Sequence, residues 1–340
     1  MIHRDTFEIL KQIWNEVEKN LRQQPGLQQR IYRRLDLEKE TGIRLGCSSP
    51  GAIWEFLVEA AIAGEELMIE FPKWKGMNFE VVALDIPRRD SKHIRLFLQQ
   101  QENRDIFVTV CADLVRALND CTTNESRRNE IINFLARWSY FFERYGQQGL
   151  SPEKQQGLYG ELWLLRRLIQ ENVEYTVAVN SWKGCRRNYH DFETNGHVTE
   201  VKTTTTKEPR KVQINNERQL DDRGLISLHL LVLTLKKSDS GGETLPAMVE
   251  SLRNILAQMP ASHSFENSLR DAGYLDIHSQ CYDTISYSVI KEEFFHVGEG
   301  FPRITDMPLG LGDLHYALIV AACEKFKNEF SEYFKLIGGK

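Results

Sequence analysis

The stretch from Asp191 to Lys202 constrains the fold of this chain more than any other part of the sequence. Asn195-Gly196 lies between two short runs of alternating polar and apolar residues, which is the pattern of a β-hairpin with a two-residue turn. Both turn positions need positive φ, which asparagine and glycine tolerate. Counting outward from the turn predicts the cross-strand neighbours Thr194 and His197, Glu193 and Val198, Phe192 and Thr199, and Asp191 and Glu200.

Strand alternation brings three charged side chains onto one face of this hairpin. Asp191 and Glu200 lie directly opposite each other, and Lys202 follows Glu200 on the same face, while Phe192 and Val201 point toward the core. Like charges in opposite positions destabilise a strand pair, and a divalent cation would remove that penalty. Mg²⁺ is commonly held by one or two carboxylates together with waters and substrate phosphate. A lysine beside it orients water or neutralises phosphate charge.

A plainer interpretation is a surface hairpin whose glutamate and lysine are ordinary solvated charges, since Glu-x-Lys is a common tripeptide. The register of Asp191 and the apolar residues on the opposite face favour the metal site. Glu193 lies on the same predicted face and is the reserve carboxylate.

Four segments of the sequence together resemble a known superfamily. They are Gly157-Leu-Tyr-Gly-Glu161-Leu-Trp-Leu-Leu, Trp182-Lys-Gly, His190-Asp191-Phe192 and Glu200-Val-Lys-Thr-Thr. These segments resemble the PD-(D/E)XK nucleases, and in particular a bacterial family of PD-(D/E)XK motif proteins found among restriction and phage-defence genes. The resemblance is clearest over residues 151–220. His190 stands where the motif has proline, a change that leaves the metal ligands intact.

The resemblance implies a restriction-endonuclease-like α/β core, with a mixed sheet flanked by helices, preceded by an N-terminal α+β domain. It also implies Mg²⁺-dependent hydrolysis of duplex DNA, with Mn²⁺ able to substitute. Asp191 and Glu200 would hold the metal, and Lys202 would position and activate water. Many members carry a further acidic ligand on the helix before the hairpin, and Glu161 matches that position; an exposed helix glutamate is the alternative.

Basic residues flank the predicted site on both sides. Arg186 and Arg187 precede Asp191, and the residues Lys207, Arg210 and Lys211 follow the hairpin. Basic loops are often solvated surface, but beside a phosphate-cleaving site they would contact the DNA backbone. The net charge of −5 disfavours nucleic-acid binding by the chain as a whole, so a local basic surface would be required.

At 340 residues the chain exceeds the length at which one core stops growing, so we expect two domains, 1–146 and 147–340. In the first, periodicity predicts a helix over 4–24, helices over 112–145, and strands at 67–71, 79–84, 94–98 and 106–110. Residues 52–63 fit a strand or a helix. This domain would read DNA, bind a partner or support the nuclease core.

In the second domain, Ser151-Pro152 predicts the start of a helix running to about residue 171. Gly157 and Gly160 would let this helix approach the sheet closely. Further strands are predicted at 175–179, 212–214, 224–236, 282–289, 293–297 and 314–321, with helices at 245–259 and 265–272. The apolar run within 225–235 predicts a central strand buried on both faces.

Several classes of protein do not fit the sequence. Six cysteines without CxxC spacing argue against a zinc site and for reduced thiols, and nine histidines show no H-x-x-x-H or H-x-H pair. There is no P-loop motif and no G-x-S-x-G elbow. No apolar run approaches the roughly 18 residues of a membrane span. The N-terminus lacks a signal-peptide pattern, so we expect a cytoplasmic protein.

Two rival functions share the same features. One is a non-catalytic protein that keeps the fold to bind DNA or a partner. The other is a subunit of a defence or restriction complex that needs partner ATPase or methyltransferase subunits, which the acidic net charge favours. A homodimer would supply two sites for a double-strand break.

Overall fold

The computed structural model describes residues 2–23, 29–35, 42–59, 71–84, 91–119, 121–146, 149–183, 190–205, 208–239, 241–306, 310 and 314–338. The chain divides into two compact units, Met1–Gln147 and Gln148–Lys340. Arg186, Arg187, Lys207 and most of the apolar run at 67–71 lie outside the described residues.

The first unit packs helices on an antiparallel sheet. Its elements are α1 (Ile2–Gln23), β1 (Arg30–Arg34), β2 (Ile43–Ser48), β3 (Ile53–Glu59), β4 (Met77–Leu84), β5 (Ser91–Leu98), α2 (Arg104–Asn119) and α3 (Asn124–Tyr145). The strand order is β1-β2-β3-β5-β4, with antiparallel neighbours throughout. Trp14 of α1 stacks on Trp54 of β3 with ring centroids 5.3 Å apart, and its indole Nε1 donates to the Glu55 carbonyl oxygen at 3.1 Å. Stacked tryptophans therefore join α1 to the sheet.

The strand predicted at 106–110 is wrong, because these residues form the first turns of α2. Its β-branched residues favour a strand by propensity, yet Ile106, Phe107, Val108 and Val110 are all buried. In these first turns the apolar residues follow one another almost without interruption, and a short unbroken apolar run does not distinguish a helix from a buried strand. Tertiary burial therefore outweighs local propensity in this segment.

The second unit is the predicted mixed sheet flanked by helices. Its elements are α4 (Pro152–Gln170), α5 (Tyr175–Ser181), β6 (Phe192–Thr194), β7 (His197–Thr204), β8 (Lys211–Ile214), β9 (Ser227–Ser238), β10 (Glu243–Thr244), α6 (Leu245–Ile255), α7 (Ala261–Asp271), α8 (Ser279–Tyr282), β11 (Ser286–Val297), β12 (Tyr316–Ile319) and α9 (Phe330–Leu336). The sheet order is β10-β11-β9-β7-β6, with β7 and β9 parallel and the other neighbours antiparallel. Strands β8 and β12 pair separately. The α/β architecture is confirmed.

Strand β9 is central and buried on both faces, as its apolar run predicts. One face packs against β8 and β12 through a cluster that includes Val198, Val212, Ile214, Leu228, Leu230, Phe295 and Leu318. On the other face, α4 lies against Val201 and Leu233. The sheet is thus covered on both faces, and its residues alternate between the two faces with the strand period of two.

Two further boundaries differ from the predictions. The segment predicted as a strand at 175–179 is helix α5, because Glu174 caps it: its carboxylate accepts the Val177 backbone N–H at 2.8 Å and the Thr176 hydroxyl at 2.9 Å. The strands predicted at 282–289 and 293–297 form one strand, β11, with an irregularity between Val289 and Lys291. A local cap and a bulge are therefore the features that the periodicity did not reveal.

His229 lies on β9 beneath an aromatic cover. Its ring centroid is 4.9 Å from Phe294 and 5.4 Å from Tyr333 of α9, and its Nδ1 finds no hydrogen-bond partner in the described part of the chain. Burial, followed by the neighbouring His296, lowers the pKa of His229 from 6.5 to about 4. Between pH 6.5 and 4, His229 therefore stays neutral in the folded protein, whereas its imidazole is protonated in the unfolded chain.

We predict that His229 makes the protein acid-sensitive. Stability should fall as pH drops from 6.5 to 4, and His229→Phe should remove up to about 3 kcal/mol of that loss. Urea unfolding at pH 7, 6, 5 and 4 measures it, with the exposed His315→Phe as the matched control. An unchanged acid dependence in His229→Phe would contradict the prediction.

Candidate active site

The hairpin has the predicted register. Phe192 pairs with Thr199, Glu193 with Val198 and Thr194 with His197. Asn195 and Gly196 have φ of 50° and 79°, so both turn residues lie in the left-handed region that a two-residue turn of this kind requires. The turn therefore sets which side chains of β6 and β7 share a face.

Asp191 is tied across the hairpin by hydrogen bonds. Its Oδ2 accepts the Val201 backbone N–H at 2.8 Å, and its carbonyl oxygen accepts the Lys183 backbone N–H at 2.8 Å. The carboxylate is thereby held beside β7, at the level of Glu200 and Lys202. The side chain and the backbone of Asp191 are both fixed.

Glu200 and Lys202 form a buried ion pair. Glu200 Oε1 is 2.7 Å from Lys202 Nζ, and the two side chains are 1% and 13% exposed. Lys202 Nζ also donates to Gln219 Oε1 at 3.2 Å. Among the described residues, Glu200 Oε2 has no hydrogen-bond partner although it is buried. One oxygen of this carboxylate is therefore unsatisfied, which is costly inside a protein.

Glu161 of α4 belongs to the same group. Its side chain is half-buried, and its Oε2 accepts a hydrogen bond from the buried Trp182 Nε1 at 2.7 Å. The charge of Asp191 acts directly on its pKa, as do those of Glu200 and Lys202. Glu161 is therefore not the exposed helix glutamate of the alternative interpretation.

Burial of these like charges shifts their pKa values upward. Burial first, and Asp191 second, raise the pKa of Glu161 well above its usual range and that of Glu200 to about 8. Burial also raises the pKa of Asp191, against the opposing effects of Lys202 and the Val201 N–H. Burial alone would lower the pKa of Lys202, but Glu200 and Asp191 outweigh it and raise that pKa. Near neutral pH the metal-free site therefore retains protons that a cation would displace.

The residues present fit a hard divalent cation. Within the described ranges, no three Asp, Glu, His or Cys side chains form a ready-made metal cluster. Asp191 and Glu200 nonetheless offer oxygen ligands in one place, and two carboxylates suffice for a cation that keeps several waters. The unsatisfied Glu200 Oε2 is a vacant ligand atom of the correct type. An all-oxygen donor set suits Mg²⁺ or Mn²⁺ better than Zn²⁺.

Gly160 sets the position of Glu161. A Cβ atom at Gly160 would lie 2.4 Å from Thr203 Cγ2 and 3.5 Å from Val201 Cγ1, so α4 approaches β7 more closely than any side chain would allow. Gln156 reinforces this contact, because its Nε2 donates to Thr203 Oγ1 at 3.0 Å. At Gly157 no described atom lies within 4 Å, so the predicted close approach is confirmed at Gly160 and wrong at Gly157.

We predict opposite effects of alanine at the two helix glycines. Gly160→Ala should lower the free energy of unfolding by about 1–3 kcal/mol, because the added methyl clashes with Thr203. Gly157→Ala, the matched control, should raise it by up to about 1 kcal/mol through better helix propensity. Urea unfolding of both variants measures the difference. Equal stabilisation by the two substitutions would show that α4 does not need its close approach.

The basic residues that were predicted to contact the DNA backbone lie in different surroundings. Arg210 is engaged with the buried Glu293 and with Glu208, and its Nη1 donates to Thr234 Oγ1 at 3.1 Å. Its side chain is 11% exposed and its charge neutralises a buried carboxylate, so a phosphate contact by Arg210 stays a prediction that this internal pairing disfavours. Lys211 is exposed at the start of β8 and stays a prediction, while Arg186, Arg187 and Lys207 lie outside the described residues.

The reserve carboxylate Glu193 stays a prediction, and two residues join the site. Glu193 is exposed, unlike the buried group around Glu200. Gln219 contacts Lys202, whereas Gln213 is exposed; the sequence offered no means of ranking these two glutamines. Trp182 donates a hydrogen bond to Glu161. The sequence feature that could have pointed to this residue is that a buried indole N–H needs a hydrogen-bond acceptor.

A mixed sheet whose hairpin carries Asp191, Glu200 and Lys202, with Glu161 on α4, is typical of the PD-(D/E)XK class of protein. The model of the family DUF4420, described as "Putative PD-(D/E)XK family member", matches residues 10–321, and the chain belongs to this family. No curated protein and no solved structure matches the chain. In the part of the chain that the structure describes, no helix has the length and apolar character needed to span a membrane.

Proposed function

We propose that this protein is a Mg²⁺-dependent endonuclease that hydrolyses phosphodiester bonds of duplex DNA in restriction or phage defence. The observation that carries the proposal is the group formed by the buried Glu200 and the partly buried Asp191 and Lys202, with one unsatisfied carboxylate oxygen on Glu200. Membership of a PD-(D/E)XK family supports the same reaction class. Such a nuclease would act in the cytoplasm, and Mn²⁺ would replace Mg²⁺.

Each residue has a distinct role in this proposal. Asp191 and Glu200 would hold the cation, and Glu161, steadied by Trp182, would be a further ligand. When bound, the cation would lower the pKa of water and stabilise charge on the phosphate. Lys202 Nζ carries donors that can orient the attacking water or bind a phosphate oxygen. Lys202 thereby offsets negative charge where it develops.

A plasmid-cleavage assay tests the proposal. Full-length protein is incubated with supercoiled DNA in Mg²⁺, in Mn²⁺ and in chelator, beside Asp191→Asn and the exposed control Asp239→Asn. We expect metal-dependent cleavage by the wild type and by Asp239→Asn, and none by Asp191→Asn. Uncut plasmid with well-folded wild-type protein in both metals would refute an autonomous nuclease.

A partner-dependent subunit of a defence or restriction complex is the second candidate. The net charge of −5 and the internal pairing of Arg210 favour it, because both reduce the cationic surface for DNA. The salt dependence of duplex binding separates the candidates. A steep decline of affinity with salt supports direct DNA engagement, whereas no binding at low salt favours the need for ATPase or methyltransferase partners. Sedimentation of the same sample tests the proposed homodimer.

A further inference from the structure

Gln219 makes a specific contact with the lysine of the site. It lies in the 3-10 turn Glu217–Leu220, and its Oε1 accepts from Lys202 Nζ at 3.2 Å and from the Asn215 backbone N–H at 2.8 Å. A backbone N–H only donates, so the side-chain atom that faces it must be the amide oxygen. The orientation of the Gln219 amide is therefore determined, and the same oxygen faces the lysine.

The backbone that carries Gln219 is held by other groups. Asn216 Oδ1 accepts the backbone N–H groups of Arg218 at 3.0 Å and of Gln219 at 3.1 Å. Arg303 donates to the Leu220 carbonyl oxygen at 2.5 Å, and the Leu220 side chain is fully buried in the core. The turn is thus anchored on both sides of Gln219 without relying on its side chain alone.

Among the described residues, Lys202 has a second acceptor in Glu200, which the proposed function assigns to the cation. A carboxylate that also binds a metal cation attracts an ammonium group less strongly, because the metal cation repels the ammonium group. Gln219 is neutral, and its oxygen is already oriented by Asn215. Resting on the proposed function, we propose that Gln219 is a positioning residue that keeps Lys202 aimed at the reacting phosphate while Glu200 holds the metal ion.

Single-turnover cleavage with saturating DNA and Mg²⁺ tests this role. Gln219→Met, which keeps the length of the side chain but not the acceptor, should slow cleavage about 10- to 100-fold. The DNA concentration and the Mg²⁺ concentration at half-saturation should stay within about twofold. Gln219→Glu restores the acceptor and should recover most of the rate. The exposed Gln213→Met is the matched control and should cleave like the wild type.

A double-mutant cycle of unfolding tests the contact without any nuclease activity. If Gln219 and Lys202 interact, the combined effect of Gln219→Met and Lys202→Met on the unfolding equilibrium constant should differ from the product of the single effects by about threefold or more. If Gln219→Met does not fold, Gln219→Ser replaces it in both assays, because the serine hydroxyl is too short to reach Lys202. We expect the same slower cleavage and the same coupling with Lys202→Met.

The outcomes separate the two proposals. Cleavage at the wild-type rate by Gln219→Met, or multiplicative effects in the cycle, would overturn the role of Gln219 and leave the nuclease proposal standing. If the wild type cleaves no DNA, the proposed function fails; coupling in the cycle then supports the contact, and its absence overturns it.

Discussion

Replacing Lys202 with methionine should reduce DNA cleavage about a thousandfold while the protein stays folded. Lys202 is the cation that opposes the raised pKa values of Glu161, Asp191 and Glu200. Methionine keeps most of the length of the side chain but has neither the charge nor the N–H donors. The variant therefore loses the group that would orient water and neutralise phosphate charge.

The fold should tolerate the loss of Lys202, because Glu200 already binds a proton up to about pH 8 and would bind it more firmly without the ammonium. Single-turnover cleavage and Mg²⁺-dependent melting measure the two effects separately. Melting should still rise with Mg²⁺, since Asp191 and Glu200 remain. The exposed Lys236→Met is the control. Undiminished cleavage by pure Lys202→Met would remove Lys202 from the mechanism.

Glu200→Gln should stabilise the metal-free protein at alkaline pH and abolish its response to metal. Burial and Asp191 raise the pKa of Glu200 from 4.5 to about 8, so the native protein holds a proton that the unfolded chain has released. Stability is therefore lost as pH rises from 4.5 to 8. Glutamine does not titrate and escapes this loss. At pH 8.5 we expect a gain of about 2–4 kcal/mol, and none at pH 4.

Urea unfolding in chelator at pH 4 and 8.5 measures the gain, and melting with increasing Mg²⁺ measures the response to metal. The wild type should melt higher with Mg²⁺, because a ligand that binds only the native state stabilises it. Glu200→Gln should not respond. The exposed Glu292→Gln on β11 should match the wild type in both assays. If Glu200→Gln were less stable than the wild type at pH 8.5, the ionised Glu200 carboxylate would not destabilise the metal-free protein, and the prediction would be wrong.

The parts of the site that could be predicted are those fixed by short-range rules. Asn195-Gly196 sets the turn, and the turn sets the register that joins Asp191 to Glu200 and Lys202. The start of α4 follows from a local rule as well: Ser151 caps it, with Pro152 in its first turn. These features depend on neighbours a few residues apart, so one sequence contains their whole cause.

The features that could not be predicted depend on distant partners. From the sequence, Arg210 looks like a free basic residue. It pairs with Glu293 of β11, 83 positions away, because β8, which follows Arg210, packs over the face of the sheet that carries β9 and β11. The hydrogen bond from Trp182 to Glu161 likewise links α4 to the residue that follows α5, 21 positions away. Helix α2 shows the same limit in the core, because the nearly unbroken apolar run of its first turns does not by itself distinguish a helix from a buried strand.

The tight contact between α4 and β7 also defines a pair of positions that should change together. The methyl group of Thr203 occupies the space that a side chain at Gly160 would need, whereas its hydroxyl accepts from Gln156. Serine at 203 would keep that hydrogen bond and vacate the methyl volume. Thr203→Ser should therefore act as a second-site suppressor of Gly160→Ala, exchanging one methyl group across the helix–strand contact while Glu161 keeps its place.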